Sequence, residues 1–395
     1  MTFTFDEIQK QVVTPAYVFD TDVMLQRIQM VRELLGDRIR LCYAMKANPF
    51  VISAIESAID CYEVCSPGEQ KICERAGIAM DKVVLSGVYK AREDVVYVMD
   101  AYGDAITYTA ESMRQFQLLH ACAEERGICV RVLLRITSGN QFGIDEPVLR
   151  KIIAERKAYP NVEIIGIQHF SGTQRKCLSQ YAEELHYVDE LLSTLKRETD
   201  FEAKQLEFGP GFYVEYFQKE KAYDEIELLT GFAKLIKEME FKGKITLELG
   251  RFLSAPCGTY YTKVVDQKRN TGVDYCIVDG GMHQMNYFGQ RMAMKIPYYD
   301  HLFEGRREGE KQPYHICGSL CTVNDHLVKQ LPLLQASVGD ILAFHNTGAY
   351  SMSEGASLFL SRDLPTIYLY DHLKGLQLMR NRFETNQLNY TYIGG

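Results

Sequence analysis

No stretch of the 395-residue chain reaches the ~18 consecutive apolar residues that suggest a membrane span, so no membrane partner is expected. Nor is there a cationic block: 44 Lys and Arg against 52 Asp and Glu give a net charge of −8, which leaves no dense basic face for a nucleic-acid backbone. The 11 cysteines are odd in number and lack zinc-like CxxC pairs. Scattered through apolar runs (Cys42, Cys65, Cys129, Cys276), they read mostly as buried thiols, not as a disulfide framework or metal site. The opening Met-Thr-Phe-Thr-Phe-Asp has neither a basic leader before an apolar run nor an Arg- and Ser-rich amphipathic leader, and the expected compartment is the cytoplasm. There is no internal repeat or low-complexity tract, and the charged run Glu304–Lys311 reads as a solvated loop.

What is there is an ordinary globular composition, 46% hydrophobic and 24% charged, in a chain too long for one small domain. After the extended Pro15-Ala16-Tyr17-Val18-Phe19, Thr21 and Asp22 are candidate caps for a helix with Leu25, Ile28, Val31, Leu34 and Leu35 on one face, ending at Gly36. Strands then alternate with helices. The strands are expected at Leu41–Met45, Tyr62–Cys65, Val83–Leu85, Ala105–Tyr108, Val130–Ile136, Val162–Ile167, Leu206–Phe208 and Ile245–Leu247. The helices fall near 50–59, from Pro67, and at 92–101, 111–126, 146–156, 180–198 and 224–240; Ser66-Pro67-Gly68-Glu69 reads as a capping box. Eight such strands fit the rhythm of a (β/α)8 TIM barrel, although a doubly wound sheet gives similar local signals. Beyond a boundary near Ser254 the pattern turns β-rich, at Thr259–Val265, Asp274–Val278, Ile341–Phe344 and Thr366–Tyr370.

In a barrel the active site forms at the C-terminal ends of the strands. The chemically loaded residues cluster there: Lys46 after strand one, Arg135 ending strand five, Gln168 and His169 ending strand six, Gly209-Pro210-Gly211 after strand seven, Glu248 and Arg251 after strand eight. A lone lysine in such a place is more often a surface residue, and a lone Gly-Pro-Gly more often a turn; together they gain weight. Glycines let backbone N–H groups approach an anion, Ser171-Gly172-Thr173 offers a second donor-rich loop, and Arg251 can bond phosphate or carboxylate. A phosphorylated ligand follows.

The ordered set of motifs resembles the fold-type III pyridoxal-phosphate decarboxylases, the family of diaminopimelate, ornithine and arginine decarboxylases. The resemblance spans nearly the whole chain. It runs through Thr14-Pro15-Ala16-Tyr17-Val18-Phe19-Asp20, Tyr43-Ala44-Met45-Lys46-Ala47-Asn48, Ser66-Pro67-Gly68-Glu69, Gln141-Phe142-Gly143, Gly209-Pro210-Gly211-Phe212, Glu248-Leu249-Gly250-Arg251, Val278-Asp279-Gly280-Gly281-Met282, Gly318-Ser319-Leu320-Cys321 and Gly348-Ala349-Tyr350. It implies an alanine racemase-like plan: a cofactor-binding barrel over 25–254, and a β-rich domain of 1–24 and 255–395 that takes in the N-terminal strand and completes the active site of a homodimer. It also implies pyridoxal 5'-phosphate bonded to Lys46, Glu248 at the pyridine nitrogen, and Gly209, Gly211, Thr173, Arg251 and Tyr350 around the phosphate. Cys321 would reach across the dimer to return a proton to Cα, although a buried structural cysteine is the plainer alternative. Asp325 matches a position near that interface. Glu63, Glu69 and Arg135 match a polar set beneath the cofactor, with structural ion pairs as the alternative reading of all three.

Three departures bear on the substrate. Phe170, preceded by His169, stands where the family usually stacks a histidine on the cofactor. Cys321-Thr322 replaces a Cys-acid pair that contacts a distal amine. The run from His283 to Arg291 replaces an Arg-Pro-x-Leu-Tyr pattern. With Arg251, Arg291, Cys321, Thr322 and Tyr350 as the substrate wall, the expectation is decarboxylation of an amino acid or of an amino acid conjugated to a carrier protein or scaffold, as in relatives from antibiotic and siderophore pathways. Alternatives are diaminopimelate decarboxylation, amino-acid racemisation, for which Lys46-Ala47-Asn48-Pro49-Phe50 is the wrong continuation, and a non-catalytic regulatory relative.

Overall fold

The computed structural model describes residues 3–220, 223–290 and 292–391. It divides into two compact units, Leu25–Tyr213 with Tyr223–Phe252, and Met1–Met24 with Val214–Ala222 and Leu253–Gly395. The chain opens with helix α1 (Phe5–Gln11), closed by a reciprocal box in which Thr4 accepts from Glu7 N and Glu7 accepts from Thr4 N. Strand β1 (Ala16–Asp20) leads directly into α2 (Thr21–Leu35). Here the cap differs from expectation: Asp20 accepts from Val23 N at 3.1 Å, Thr21 donates instead to Tyr370 O, and Asp22 accepts from His372 N.

The first unit is a closed barrel of eight strands: β2 (Ile39–Ala44), β3 (Cys61–Val64), β4 (Val83–Leu85), β5 (Thr107–Ala110), β6 (Val130–Ile136), β7 (Val162–Phe170), β8 (Gln205–Gly209) and β9 (Lys244–Leu249). Each pairs in parallel with the next, and β9 returns to β2. This settles the choice between barrel and open sheet. The helices between them are α3 (Pro67–Ala76), α4 (Arg92–Tyr102), α5 (Met113–Arg126), α6 (Glu146–Ala154), α7 (Leu178–Thr199) and α8 (Glu225–Glu238). Between β2 and β3 the expected helix near 50–59 is absent, replaced by 3-10 turns at Pro49–Val51 and Glu56–Ala58. Asn48 caps the first by accepting from Phe50 N, and Val51, Ile52, Ile55 and Ile59 are β-branched side chains with little helix preference that are buried where they stand.

Alternation along each strand sends one set of side chains to the helices and the other to the barrel interior. Phe208 of β8 packs on Phe232 of α8 at 6.1 Å, so its neighbour Glu207 faces inward. Cys42, Cys61 and Val84 form an interior layer. Ser66 caps α3 as expected, but Glu69 accepts from Cys65 N, one residue earlier than a capping box requires.

The second unit is a nine-stranded sheet containing β1, β10 (Gly258–Asn270), β11 (Val273–Val278), β12 (Tyr299–Leu302), β13 (Gln312–Cys317), β14 (His326–Leu333), β15 (Ile341–His345), β16 (Thr366–Asp371) and β17 (Gly375–Arg380). β1 lies between β10, antiparallel, and β16, parallel, and its Ala16 and Val18 pack with Ile8, Tyr261, Ile341, Ala343 and Tyr368. The Glu304–Lys311 loop is tied down through Arg307, whose guanidinium grips Asp340 by two 2.6 Å bonds while His301 Nε2 stands 2.9 Å from the same carboxyl. Among the described residues, no helix is long and apolar enough to cross a membrane and no cluster of His, Cys, Asp and Glu is arranged to hold a metal ion.

Candidate active site

The last residues of β2 deliver Lys46 to the C-terminal mouth of the barrel. Met45 before it is buried, and a 3-10 turn over Met45–Ala47, followed by Tyr43 Oη donating to Asn48 O at 3.2 Å, fixes the exit of the chain. The Lys46 side chain is 37% exposed, yet its amine is bracketed by acids: Glu63 of β3, 2% exposed, contacts it directly, and Glu248 of β9 lies 3.6 Å away. Cys65 Sγ is 3.5 Å from the amine and donates to Glu63 at 3.1 Å. Burial pushes the Glu63 carboxyl up, but the Lys46 ammonium and hydrogen bonds from Lys46, Glu248 and Cys65 outweigh it and hold it at about 2. Glu248 goes the other way: burial and then the Glu63 charge raise it well above the carboxylate range, more than Lys46 lowers it.

Around this pair the interior carries more polar side chains. Gln168 of β7 donates through Nε2 to Glu207 at 2.7 Å and to Glu248 at 3.3 Å. Arg135 of β6 pairs with Glu111 at 3.4 Å, and its guanidinium lies 4.8 Å over the Phe142 ring and 6.0 Å over the Phe170 ring. Phe170 points inward while His169 points out, 5.7 Å from Phe208, where burial lowers the imidazole's proton affinity. Of the two rings, the phenyl is therefore on the site's side.

Two loops meet beside β7 and β8. Arg175 N donates to Gly211 O at 2.9 Å and Tyr213 N to Arg175 O at 3.0 Å, a short parallel bridge between residues 171–175 and 211–213. The Arg175 guanidinium bonds Ser171 Oγ at 2.6 Å and Glu184 at 2.7 Å. Gly211 has φ +58, and a Cβ there would fall 1.9 Å from Gly172 O. Only glycine allows this approach. Gly209 makes room for the aromatic instead, since a Cβ at this position would meet the Phe170 ring at 2.5 Å.

An accessible amine for an aldehyde, a buried acid beside it for a ring nitrogen, an inward aromatic, and a cradle of backbone that any Cβ would fill are the donor set that pyridoxal phosphate requires. A family model for the pyridoxal-binding domain of pyridoxal-dependent decarboxylases matches residues 21–255. The chain belongs to this family. It is a pyridoxal-phosphate-dependent decarboxylase, built as the barrel and separate β sheet expected from its sequence. Its relatives include the L-glutamyl-[BtrI acyl-carrier protein] decarboxylase of Niallia circulans, 27% identical with 91% of this chain and 89% of the relative covered. The 2-[(L-alanin-3-ylcarbamoyl)methyl]-2-hydroxybutanedioate decarboxylase of Staphylococcus aureus is 25% identical, covering 89% and 93%. The diaminopimelate decarboxylase of Aquifex aeolicus is 26% identical, covering 88% and 84%. In fold the chain is similar to diaminopimelate decarboxylase from Helicobacter pylori complexed with L-lysine, at 22% identity and TM-score 0.85 over 98% of each chain.

Within the barrel unit the decarboxylase brings Lys46 and Glu248 together and keeps Thr173 and Gly211 on the joined loops, with Gly209 ending β8 beside Phe170; Arg251 starts the turn of helix after β9. Glu69 serves as the acceptor for Cys65 N, and Arg135 is ion-paired, so both have structural duties. Cys321, Thr322 and Tyr350 belong to the β-rich unit. Cys321 is an exposed thiol, not a core cysteine, on the turn between β13 and β14; Asp325 shapes that turn by accepting from Met282 N and Leu320 N, both at 2.7 Å. Tyr350 holds a left-handed φ of +63, its carbonyl accepting from Ser353 N and Glu354 N. Arg291 lies outside the described residues. Glu111, Arg175 and Glu207 are not among the residues expected from the sequence. An acid between Leu206 and Phe208 in a strand was the available signal for Glu207.

Proposed function

We propose that this decarboxylase removes CO2 from an α-amino acid presented as a conjugate to a carrier or small scaffold, within a homodimer whose sites each draw on two chains. The observation that carries the catalytic part is the Lys46 amine held 3.6 Å from Glu248 at the barrel mouth. Lys46 would hold the cofactor through its aldehyde carbon, its amine standing between Glu63 and Glu248. Glu248 would hold a proton on the ring nitrogen, Phe170 would cover the ring face, and Thr173, Gly211 and Arg251 would hold the phosphate, a role the family pattern also assigns to Tyr350. When bound, pyridoxal phosphate supplies the electron sink that accepts the pair left as the Cα–carboxylate bond breaks. Cys321 of the second chain returns a proton to Cα.

The barrel of 25–254 is the cofactor domain in this reading, and the remainder completes the partner's site. Thr322 after Cys321 supports a conjugate: its hydroxyl accepts from Asn324 N at 3.4 Å and offers no charge to a free distal ammonium. The glutamyl-carrier and citrate-type relatives act on such molecules by name. A second reading, free diaminopimelate, is favoured by relatives of that name. CO2 release measured across diaminopimelate, ornithine, lysine, arginine and glutamyl conjugates separates the two. A preference for a conjugate by kcat/KM supports the first, and a preference for diaminopimelate replaces it with the second.

A further inference from the structure

Glu207 of β8 has no part in the chemistry above, yet it is completely buried in the barrel interior. A single amide connects it to the acid proposed for the ring nitrogen. Gln168 Nε2 has two hydrogens, and its bonds of 2.7 Å to Glu207 and 3.3 Å to Glu248 use one each. The torsion of Gln168, and with it the side of Glu248 that stays open, is therefore set by Glu207.

The surroundings select the charge state. Glu207 faces Gln168 of β7, Arg40 and Cys42 of β2, Arg135 of β6, Glu248 of β9 and the Glu63 charge of β3. Arg135 is already engaged by Glu111. The second oxygen of Glu207, Oε2, has no hydrogen-bond partner among the described residues, and neither has Gln168 Oε1. An ionised carboxylate with one oxygen unserved in a closed interior is far costlier than a neutral acid.

We propose that Glu207 holds a proton in the resting site and acts, through the Gln168 amide, as a positioning residue that sets the orientation and acidity of Glu248. This rests on the reading that Glu248 meets the ring nitrogen. Burial first, and then the Glu63 charge, push the Glu207 acid up to about 7, offset in part by Gln168, Arg40 and Arg135. As Glu207 ionises, a second negative charge across the amide strengthens the hold of Glu248 on its proton.

Infrared spectra of the cofactor-free protein recorded against pH test the charge state. A protonated-carboxyl band is expected to titrate near pH 7 and to lose that component in Glu207→Gln. In the holoenzyme, the cofactor absorbance is expected to inflect over the same pH range and to lose the inflexion in the same variant. A carboxyl band unchanged by Glu207→Gln, or an inflexion that survives it, overturns the proposal. If the glutamine variant does not fold, Glu207→Asp, which keeps the acid but shortens its reach to Gln168, is expected to move the titration; an unmoved titration overturns it equally. Failure of the Glu248 reading shows itself separately, as a Glu248→Gln holoenzyme with wild-type absorbance and cofactor affinity.

Discussion

Lys46 Nζ stands 3.6 Å from a carboxylate oxygen of Glu248, and the two acids around that amine titrate in opposite directions because Glu63 takes its charge first. Glu248→Gln keeps the shape of the side chain and removes the acid. Cofactor should still attach to Lys46, while kcat falls by about 10²-fold or more, the scale of losing one preorganised electrostatic partner. Steady-state kinetics with the absorbance spectrum of the same sample check this.

Gly211→Ala places a methyl group 1.9 Å from Gly172 O at φ +58, so the 171–175 and 211–213 loops must part. Cofactor affinity should drop at least about tenfold, a cost of ~1.4 kcal/mol or more. Fluorescence titration with pyridoxal phosphate measures it, and unchanged binding would mean that these two loops do not cradle the phosphate.

Stability should depend on pH in two opposite ways. Asp340 is buried, which raises its carboxyl, but His301, Arg307 and Ser337 N outweigh burial and hold it at about 2. Its folded value lies below the unfolded one of about 3.9, so it contributes roughly 2 kcal/mol above pH 4, lost as the pH falls towards 2. Asp340→Asn should cost that amount at pH 7 and little at pH 2 by denaturant unfolding.

Glu207 runs the other way. Its folded value of about 7 lies above the unfolded one, the folded state binds the extra proton, and stability falls as pH rises from about 4.5 to 7. Glu207→Gln should leave the cofactor-free protein more stable than wild type at pH 8, by up to about 3 kcal/mol, and no more stable at pH 4.

If Cys321 serves the partner's site, Cys321→Ala should lose activity while keeping the cofactor absorbance. Mixing it with Lys46→Ala should then restore activity, up to about a quarter of wild type when half the dimers are mixed and one site of each is whole. No restoration after verified subunit exchange would place Cys321 outside the neighbouring site.

The barrel was legible because Val130–Ile136 and its counterparts are short apolar runs between amphipathic helices, and because Lys46 and Gly211 follow strand ends while Glu248 stands in the last residues of its strand. Closure was not legible, since β9 pairing with β2 is a contact between distant segments that no local pattern encodes. The stretch at 50–59 has helical spacing of isoleucines, but β-branching and the Asn48 cap turn it into 3-10 turns. Ser66 announced a cap correctly, while the partner of Glu69 depended on where β3 ends. Glu207 went unnoticed because a lone acid in Leu206-Glu207-Phe208 looks like an exposed alternation until the closed barrel puts that face inside.

Whether Lys46 carries pyridoxal phosphate for decarboxylation is decided by CO2 release per bound cofactor in wild type and Lys46→Ala, with absorbance recorded in the same cuvette. The wild type should show a long-wavelength cofactor band and catalytic CO2 release, both lost in Lys46→Ala. A band untouched by that substitution, or racemisation without CO2 from every amino acid and conjugate supplied, would contradict the assignment.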